Sequence, residues 1–319
     1  MKIVVTGGAG YIGGVVATQL SEAGHEVIVL DRVASTAKPI LPESVKLVDA
    51  DITRFAEALA GEQGIDAVMH FAAYIAAGES MQKPEIYWEN NTIGSIRLLE
   101  AMRTLGIRKL IFSSTAAVYG NPEEVPITET AAKQPTSTYG MTKLAVDMAI
   151  TSECLAHDMA ATSLRYFNVA GAYGACGERH EPETHIIPLA LDVAAGKRDT
   201  FMIYGDDYAT EDGTCVRDYI HVADLARAHL LALDHLARGE HTIYNLGNGN
   251  GFSNKEVIAA VEQVTGKTLP VEIGPRREGD PAVLIATSKK AQEQLGWVPE
   301  KPQLTDIIAD AWEYYRSRT

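Results

Sequence analysis

Short apolar runs alternate with amphipathic stretches along the first half of the chain. The apolar and β-branched runs predict buried strands at residues 2–6, 27–31, 45–52, 66–73, 108–114 and 162–172. Between these runs, helical periodicity predicts helices at residues 11–20, 84–105 and 136–157. Strands that alternate with helices in this way indicate an α/β fold, here a Rossmann-like, doubly wound parallel sheet that covers residues 1–169.

The order of the elements becomes mixed beyond residue 170. A polar loop with two prolines comes first, and its lack of periodicity makes it a candidate cover for a site. After it we predict strands at residues 200–205, 215–222 and 243–249, and helices at residues 186–197, 223–239, 252–266 and 304–316. We interpret residues 170–319 as a smaller, mixed α/β lobe that binds substrate, with segments around residues 220–247 returning to the first domain.

A glycine-rich turn joins the first strand to the first helix. Its glycines at positions 7, 10 and 13 follow a strand and open a helix, which is the context of a dinucleotide-binding loop. Glycines let the backbone approach a pyrophosphate, whose charge then lies at the helix N-terminus. Asp31, at the end of the second strand, would accept hydrogen bonds from a ribose diol and favours NAD over NADP. Arg32 beside it is a counter-signal, since it could pair with a 2′-phosphate.

Three poor helix formers interrupt the long helix at residues 84–105. They are Asn90, Asn91 and Gly94. A helix tolerates such residues more readily when a side chain is used, so we expect Asn90 or Asn91 to face the cofactor. The alternative is a solvent-facing pair. His70, near the end of the fourth strand, is expected to be a packed strand residue.

Tyr139 and Lys143 form the strongest candidate for catalysis. Four residues apart on one predicted helix, they lie on the same face and can address the same point. A free tyrosine titrates near pH 10, and we expect the nearby lysine charge to lower the pKa of the phenol. Thr115, at the end of the preceding strand, adds a hydroxyl. Together the three side chains could handle a proton at an alcohol or a carbonyl.

The composition narrows the possible partners. The chain has 319 residues and a net charge of −14, which argues against nucleic acid or an anionic membrane surface as a partner. No stretch is apolar over the roughly 18 residues that a membrane span needs, and residues 2–5 run straight into a strand, so we expect no secretory leader. The three cysteines, an odd number without a C-x-x-C pair, favour a reduced, cytoplasmic protein without a structural metal.

An acidic protein that binds an anionic ligand needs a local cluster of positive charge. Arg217, Arg276 and Arg277 provide one in the second half of the chain. Arginine forks suit phosphate oxygens, so these residues mark the expected place of an anionic ligand. The alternative is that they form surface ion pairs with their acidic neighbours, Asp218, Glu278 and Asp280.

Several segments carry a pattern that extends over nearly the whole chain. They are GGAGYIG, HFAAYIAAGES, ENNTIG, FSSTAAVYG, STYGMTK, LRYFNVAGA, PETHIIP, TEDGTCVRDYIHVADLA, YNLGNG and RREGD. In this order they resemble the UDP-glucose 4-epimerases, a family of the extended short-chain dehydrogenase/reductase superfamily. The resemblance implies a tightly held NAD and transient oxidation of the sugar at C4. The 4-keto sugar then rotates and is reduced on its opposite face, so that UDP-galactose and UDP-glucose interconvert in galactose metabolism.

The resemblance also implies roles for individual residues. Tyr139 is the base, Lys143 tunes it and holds the nicotinamide ribose, and Thr115 hydrogen-bonds the sugar oxygen. The expected cofactor-binding residues are Gly7, Gly10, Tyr11, Ile12, Gly13, Asp31, Arg32, Asp51, Ile52, Phe71, Ala72, Ala73, Asn90, Ser113, Tyr139, Lys143, Tyr166 and Phe167. The expected substrate-binding residues are Thr115, Tyr139, Asn168, His185, Ile186, Tyr204, Arg217, Tyr219, Arg277, Asp280 and Leu284. Relatives suggest a homodimer formed through the two long helices, near residues 84–105 and 136–157.

Two positions and one loop differ from members of this family. Ile75 stands where some members have lysine, so the role of that lysine is not carried over, and the loop from Gly174 to Thr184 is shorter than in many relatives. Leu284 lies four residues after Asp280, where a tyrosine would exclude N-acetylated sugars. Because leucine is smaller, we expect weak activity on the N-acetylated UDP-sugars.

Two kinds of alternative function stay open at this point. The first is another NAD-dependent nucleotide-sugar epimerase or a 4,6-dehydratase of the same superfamily. A dehydratase would carry an Asp-Glu pair after the threonine, where this chain has Ala116 and Ala117. The second is a non-catalytic NAD-sensing protein, which would be expected to lack Tyr139 or Lys143.

Overall fold

A seven-stranded sheet forms the centre of the fold in the computed structural model, which describes residues 1–33, 40–180, 182–277 and 280–318. In chain order, the strands of the described residues are β1 (Lys2–Thr6), β2 (Glu26–Asp31), β3 (Lys46–Asp49), β4 (Ala67–His70), β5 (Lys109–Ser113), β6 (Ala160–Tyr166), β7 (Asn168–Ala170), β8 (Ala172–Tyr173), β9 (Cys176–Gly177), β10 (Phe201–Tyr204), β11 (Val216–Arg217), β12 (Tyr219–His221), β13 (His241–Leu246), β14 (Phe252–Ser253), β15 (Val271–Gly274) and β16 (Val283–Leu284). The order across the central sheet is β13-β6-β5-β4-β1-β2-β3, and every neighbouring pair is parallel.

Helices cover both faces of this sheet. In chain order, those of the described residues are α1 (Tyr11–Glu22), α2 (Phe55–Ala58), α3 (Ala77–Gln82), α4 (Pro84–Tyr87), α5 (Gly94–Thr104), α6 (Thr138–His157), α7 (Ile186–Ala194), α8 (Val222–Asp234), α9 (Asn254–Thr265), α10 (Lys289–Leu295) and α11 (Leu304–Ser317). Because strand side chains alternate, Ile3 and Val5 pack with α1 and α8 on one face, while Val4 packs with α5 and α6 on the other. The predicted doubly wound parallel sheet is therefore confirmed.

Two predicted strands are shorter than their apolar runs. The run at residues 45–52 ends as a strand at Asp49, because the Asp51 carboxylate accepts the backbone N–H of Thr53 at 2.9 Å and caps a short turn. The run at residues 162–172 is divided. β6 stays in the central sheet, whereas β7 pairs with β12 outside it. The bounds of a strand thus depend on local caps and on partners that the run itself does not specify.

The long helix predicted at residues 84–105 is continuous but irregular. Residues Trp88–Ile93 form a π-helical turn between α4 and α5. The buried Asn91 amide accepts the backbone N–H of Tyr74 at 2.8 Å and donates to the Tyr74 carbonyl at 2.9 Å. A single π turn of this kind often lies at a functional site, since the extra residue redirects side chains.

A second apolar core lies beyond the central sheet. It is built by α7, α9 and α11 together with β10, and β10 pairs in parallel with β15. β13, which comes late in the chain, pairs in parallel with β6 at the edge of the central sheet. The strands β14, β11 and β16 form a small sheet of two-residue strands, too short to give a periodic signal in the sequence. Among the described residues, no helix is long and apolar enough to cross a membrane.

Candidate active site

The glycine turn lies at the carboxyl edge of the central sheet, against the end of β4. Gly7 has a φ of +74°, and a Cβ built there would lie 2.5 Å from the backbone nitrogen of Ala72. A Cβ on Gly13 would lie 2.4 Å from the Gly7 carbonyl oxygen. Both positions therefore require glycine, and the missing side chains leave backbone facing an open cavity at the start of α1.

Asp31 ends β2 at the same edge, and Arg32 follows it. The Asp31 carboxylate accepts the backbone N–H groups of Ala9 at 3.1 Å and Val33 at 3.2 Å, which fixes it beside the glycine turn. The Arg32 guanidinium donates to the Tyr74 hydroxyl at 3.2 Å and lies over its ring at 5.3 Å. Arg32 is thus engaged by a neighbouring side chain, while the acidic Asp31 remains part of the cavity wall.

A cavity of about 350 Å³ runs from the glycine turn to the end of β5. All of the cofactor-binding residues predicted from the sequence line it: Gly7, Gly10, Tyr11, Ile12, Gly13, Asp31, Arg32, Asp51, Ile52, Phe71, Ala72, Ala73, Asn90, Ser113, Tyr139, Lys143, Tyr166 and Phe167. We call it the cofactor cavity. Ile75 also lines it, as does Asn90, whereas Asn91 is turned inward and buried.

Tyr139, Thr115 and Lys143 all line the cofactor cavity. The side chain of Ser137 caps α6 by accepting the Gly140 N–H at 3.2 Å, so Tyr139 lies in the first turn. A Cβ on Gly140 would lie 2.6 Å from the Ala117 carbonyl oxygen, so α6 begins directly against the turn that follows Thr115. This close approach brings the Thr115 side chain near enough to the Tyr139 phenol to influence its pKa.

Burial sets the protonation of both titratable groups in this site. It raises the pKa of the Tyr139 phenol to about 12, although the hydrogen bond with Thr115 acts in the opposite direction. Burial also lowers the pKa of Lys143 to about 7, against the charge of Asp147, which raises it. The expected lowering of the Tyr139 pKa by Lys143 is therefore wrong for the polypeptide by itself. The physical reason is that burial of the phenol is the largest influence on its pKa, and burial also favours the neutral form of Lys143, whose Nζ donates to the Ser113 carbonyl at 2.8 Å.

A buried polar network behind the site was not found from the sequence. Asp147, four residues after Lys143 on α6, accepts from the Arg165 guanidinium at 2.8 Å and from the Ser114 hydroxyl at 3.2 Å. Arg165 also donates to the Tyr119 hydroxyl at 3.0 Å. The partners are far apart in the chain, so the only signal would have been a charged residue, Arg165, inside an otherwise buried strand.

His70 is packed as expected, between Thr6 and Ser95, and burial lowers its pKa to about 3.

A second cavity of about 520 Å³ adjoins the first. Most of the predicted substrate-binding residues line it, namely Asn168, His185, Ile186, Tyr204, Arg217, Tyr219, Arg277 and Asp280. We call it the substrate cavity. Asn168 and His185 line both cavities, and Thr115 and Tyr139 belong to the cofactor cavity. The two cavities therefore adjoin at Asn168, Glu178 and His185, and Tyr139 lies in the wall of the cofactor cavity.

The arginines of the predicted basic cluster separate in the structure. Arg217 lies 3.7 Å from Asp280, and the Arg277 guanidinium lies over the Tyr204 ring at 4.1 Å; both arginines line the substrate cavity. Arg276 does not line it and instead pairs with Asp207 at 2.6 Å. The Asp218 carboxylate pairs with backbone N–H groups, and Glu278 lies outside the described residues. Arg276 is thus removed from the expected cluster, since adjacent residues of an extended segment point to opposite sides.

Leu284 lines neither cavity. It lies in β16, where it pairs with Arg217, and its side chain packs on the apolar cluster of Val118, Tyr119 and Ile127. Phe167, a residue of the cofactor cavity, packs on the same cluster. Any influence of Leu284 on a bound sugar would therefore act through the packing of this cluster.

The loop between β9 and α7 adds two residues that the sequence did not single out. Glu178 lines both cavities, and His180 lines the cofactor cavity. His180 forms a short contact with the Glu178 carboxylate, which raises the pKa of the imidazole. His185 pairs in the same way with Glu183, at 2.7 Å, and its pKa is also raised. Part of this loop, Glu181, lies outside the described residues.

Comparison with known proteins agrees with this geometry. Residues 3–247 match the model of the NAD dependent epimerase/dehydratase family. The chain is 51% identical to a UDP-glucose 4-epimerase of Corynebacterium glutamicum over 98% of this chain and 95% of that protein. It is 52% identical to a UDP-glucose 4-epimerase of Streptomyces lividans over 99% of this chain and 96% of that protein. A UDP-glucose-4-epimerase from Stenotrophomonas maltophila with bound NAD and formylated UDP-arabinopyranose superposes with a TM-score of 0.94, at 40% identity, covering 100% of this chain and 98% of that one.

Proposed function

The chain belongs to the NAD-dependent epimerase/dehydratase family and within it to the UDP-glucose 4-epimerases, and we propose from this that it interconverts UDP-galactose and UDP-glucose. The observation that carries the proposal is that the cavity lined by Tyr139 and Lys143 adjoins a second cavity at Asn168 and His185. One cavity has a dinucleotide-binding glycine turn, and the other has arginines for an anionic ligand. A sugar that extends from the second cavity into the junction would place its reacting carbon between the two.

The cofactor is NAD, and the cofactor cavity fits it. When bound, NAD supplies the hydride acceptor and donor for the sugar C4. The backbone at Gly7 and Gly13 is open to a pyrophosphate because no Cβ fits at either position. Asp31 suits a ribose diol and disfavours a 2′-phosphate, while Arg32 is held by Tyr74. Lys143, which lines the same cavity, would hold the nicotinamide ribose.

Tyr139 is the proton carrier in this proposal. Its phenol takes the proton of the sugar 4-hydroxyl and later returns it, and the Thr115 hydroxyl holds the same oxygen. An enclosed phenol with a pKa of about 12 needs a positive charge nearby to act as a base at neutral pH. Lys143, one turn along α6, is the side chain that would supply this charge, and Asp147 favours its charged form.

The substrate cavity supports binding through the UDP rather than through the sugar. Arg217 and Arg277 offer forks to the diphosphate, and Asn168 stands at the junction where the sugar would begin. Binding energy placed on the nucleotide leaves the 4-keto sugar free to rotate and to present its opposite face. Ala116 and Ala117, where a dehydratase would have an Asp-Glu pair, offer no acid for the elimination of water.

We also propose a homodimer formed through the two long helices. Met141, Met148 and Leu155 recur every seven residues on α6 and are exposed, Leu155 by 78%. Trp88 and Ile96, on the helix beside it, are exposed as well. An apolar stripe of this kind on a soluble chain fits a helix-to-helix interface.

The three cysteines are all free and buried, which supports the expected reducing, cytoplasmic compartment.

Light scattering of the purified protein tests the dimer. Leu155→Glu should produce monomers, because a charge would be buried in the interface. Val298→Glu is the matched control, since Val298 is also exposed, by 58%, but lies away from this stripe. A wild-type monomer, or a Leu155→Glu dimer, would overturn the proposed interface.

The test of the activity uses the purified protein without added nucleotide cofactor. Incubation with UDP-galactose should give UDP-glucose, with no lasting rise in the absorbance of reduced nicotinamide, because there is no net oxidation. Denaturation should release NAD. Net reduction of added NAD, or a 4-keto-6-deoxy sugar as product, would contradict the assignment, and NADP as the released nucleotide would contradict the cofactor.

A further inference from the structure

Two glutamate–histidine turns follow each other in the loop between β9 and α7. In the first, the Glu178 carboxylate accepts the backbone N–H groups of Arg179 at 2.7 Å and of His180 at 3.0 Å, and it contacts the His180 imidazole. In the second, the Glu183 carboxylate accepts the backbone N–H of His185 at 2.7 Å and contacts its imidazole at 2.7 Å. The proposed epimerisation uses neither glutamate.

Each glutamate engages Nδ1 of the histidine that follows it. A carboxylate only accepts hydrogen bonds, so Nδ1 of His180 and of His185 carries the hydrogen that each donates. In His180, an ion would replace the hydrogen that Nδ1 shares with Glu178. In His185, Nε2 keeps a lone pair and has no hydrogen-bond partner among the described residues. A carboxylate that orients an imidazole in this way is the usual support of a metal-binding histidine.

The two rings converge with the Glu178 carboxylate. Their centroids are 5.9 Å apart. One nitrogen of each ring and one oxygen of Glu178 all lie within 4.8 Å of one another. In Glu178, Oε1 takes the hydrogen bonds of the turn, which leaves Oε2 for another ligand.

We propose that Glu178, His180 and His185 form a binding site for Zn²⁺. Two imidazole nitrogens and one carboxylate oxygen are a donor set that zinc takes when it keeps a further position open. In a tetrahedral zinc site, ligand atoms lie about 3.3 Å apart, given bonds of about 2.0 Å. The three groups would therefore have to close by at most about 1.5 Å, which side-chain rotation allows because both imidazoles are exposed.

The place of this site gives it a consequence for turnover. Glu178 and His185 line both cavities, so a cation held by them lies where the cofactor and substrate cavities join. It would occupy the passage of the sugar and take the His185 imidazole away from the substrate. Zn²⁺ should therefore inhibit in competition with the UDP-sugar. The inhibition rests on the proposed function, whereas the binding of Zn²⁺ does not.

Titration of the tag-free holoenzyme with Zn²⁺ in a calorimeter tests the binding, with Co²⁺ absorption as a spectroscopic check of tetrahedral N/O ligation. One ion per chain is expected. His180→Ala should weaken the affinity by on the order of 100-fold, and Glu183→Gln, which removes only the support of His185, by about 10- to 100-fold at unchanged stoichiometry. His157→Ala is the matched control, since His157 lies 4.0 Å from Glu153 on the surface of α6, and its binding should equal wild type.

Two results would overturn the site: no stoichiometric binding, or equal affinity in wild type and His180→Ala. The kinetic half is measured as the KM for UDP-galactose with and without Zn²⁺, followed by a chelator. KM should rise, with kcat recovered at high substrate, and the chelator should reverse the effect. Stoichiometric binding with an unchanged KM would overturn the blocking of the passage. A chain that binds zinc but has no epimerase activity would refute the proposed function and leave the metal site standing.

Discussion

The buried ion pair of Asp147 and Arg165 holds the helix that carries Tyr139 and Lys143. The Asp147 carboxylate accepts from the Arg165 guanidinium through Nη2 at 2.8 Å and through Nε at 3.2 Å. The two side chains are 4% and 1% exposed. Asp147→Asn keeps the shape of the side chain and removes its charge. The Arg165 guanidinium would then stay buried without its counter-ion.

The expected cost follows from this loss of the counter-ion. Removing one partner of a buried ion pair destabilises a protein by about 3–5 kcal/mol, because the other charge is left uncompensated. Arg165 keeps the Tyr119 hydroxyl at 3.0 Å and the Tyr119 ring at 5.1 Å, so we expect the lower end, about 3 kcal/mol. That is a large part of the roughly 5–15 kcal/mol that stabilises a typical folded domain.

Denaturant unfolding of the cofactor-free protein measures this loss. The midpoint should fall at an unchanged dependence on denaturant, since the surface exposed on unfolding is the same. Asp158→Asn is the matched control, because Asp158 pairs with Arg238 at 3.5 Å and both side chains are mostly exposed. Little change is expected there. A loss of less than about 1 kcal/mol in Asp147→Asn, or equal losses in both variants, would refute the reasoning from burial.

Three further predictions concern the site itself. Tyr139→Phe should keep bound NAD and lower kcat by about 100-fold or more, so nearly full turnover would rule out Tyr139 as the base. The pKa of Lys143 is about 7 in the fold and 10.5 in an unfolded chain, so the unfolded state binds more protons between these values. On nucleotide-free protein, wild type should therefore gain stability over Lys143→Met as the pH rises from 7 towards 10; a constant difference would contradict this. Wild type should act weakly on UDP-N-acetylgalactosamine, and Leu284→Tyr should lose this activity while keeping the activity on UDP-galactose. A wild type that is inert towards the N-acetylated sugar, or a tyrosine variant that still turns it over, would refute this prediction.

The sequence predicted best those residues whose position follows from the end of a strand. Gly7, Asp31 and Thr115 each lie at or just after the end of a buried strand, and parallel strands bring such positions to one edge of the sheet. Tyr139 and Lys143 needed only the helical repeat to share a face. No packing detail enters these arguments, and the structure brings all five to one cavity.

Predictions that depended on the surroundings of a side chain were less accurate. The predicted direction of the Tyr139 pKa shift was wrong because burial raises the pKa of the phenol and lowers that of Lys143, and burial is a property of the whole fold. Arg276 and Arg277 are neighbours of the same kind, yet one pairs with Asp207 and the other lies over Tyr204. Sequence alone gives no reason to prefer either.

Asp147 shows most directly why such partners are missed. It continues the face of α6 that carries Tyr139 and Lys143, and that repeat alone suggests a solvent-facing charge as readily as a buried one. Its partner, Arg165, lies in β6, and only the packing of α6 on this strand brings the two together. The glutamate–histidine turns are the opposite case, because each is local and readable as Glu-x-His. What the sequence could not give there is the convergence of the two turns at the junction of the cavities, and it is this convergence that would turn two surface ion pairs into a metal site.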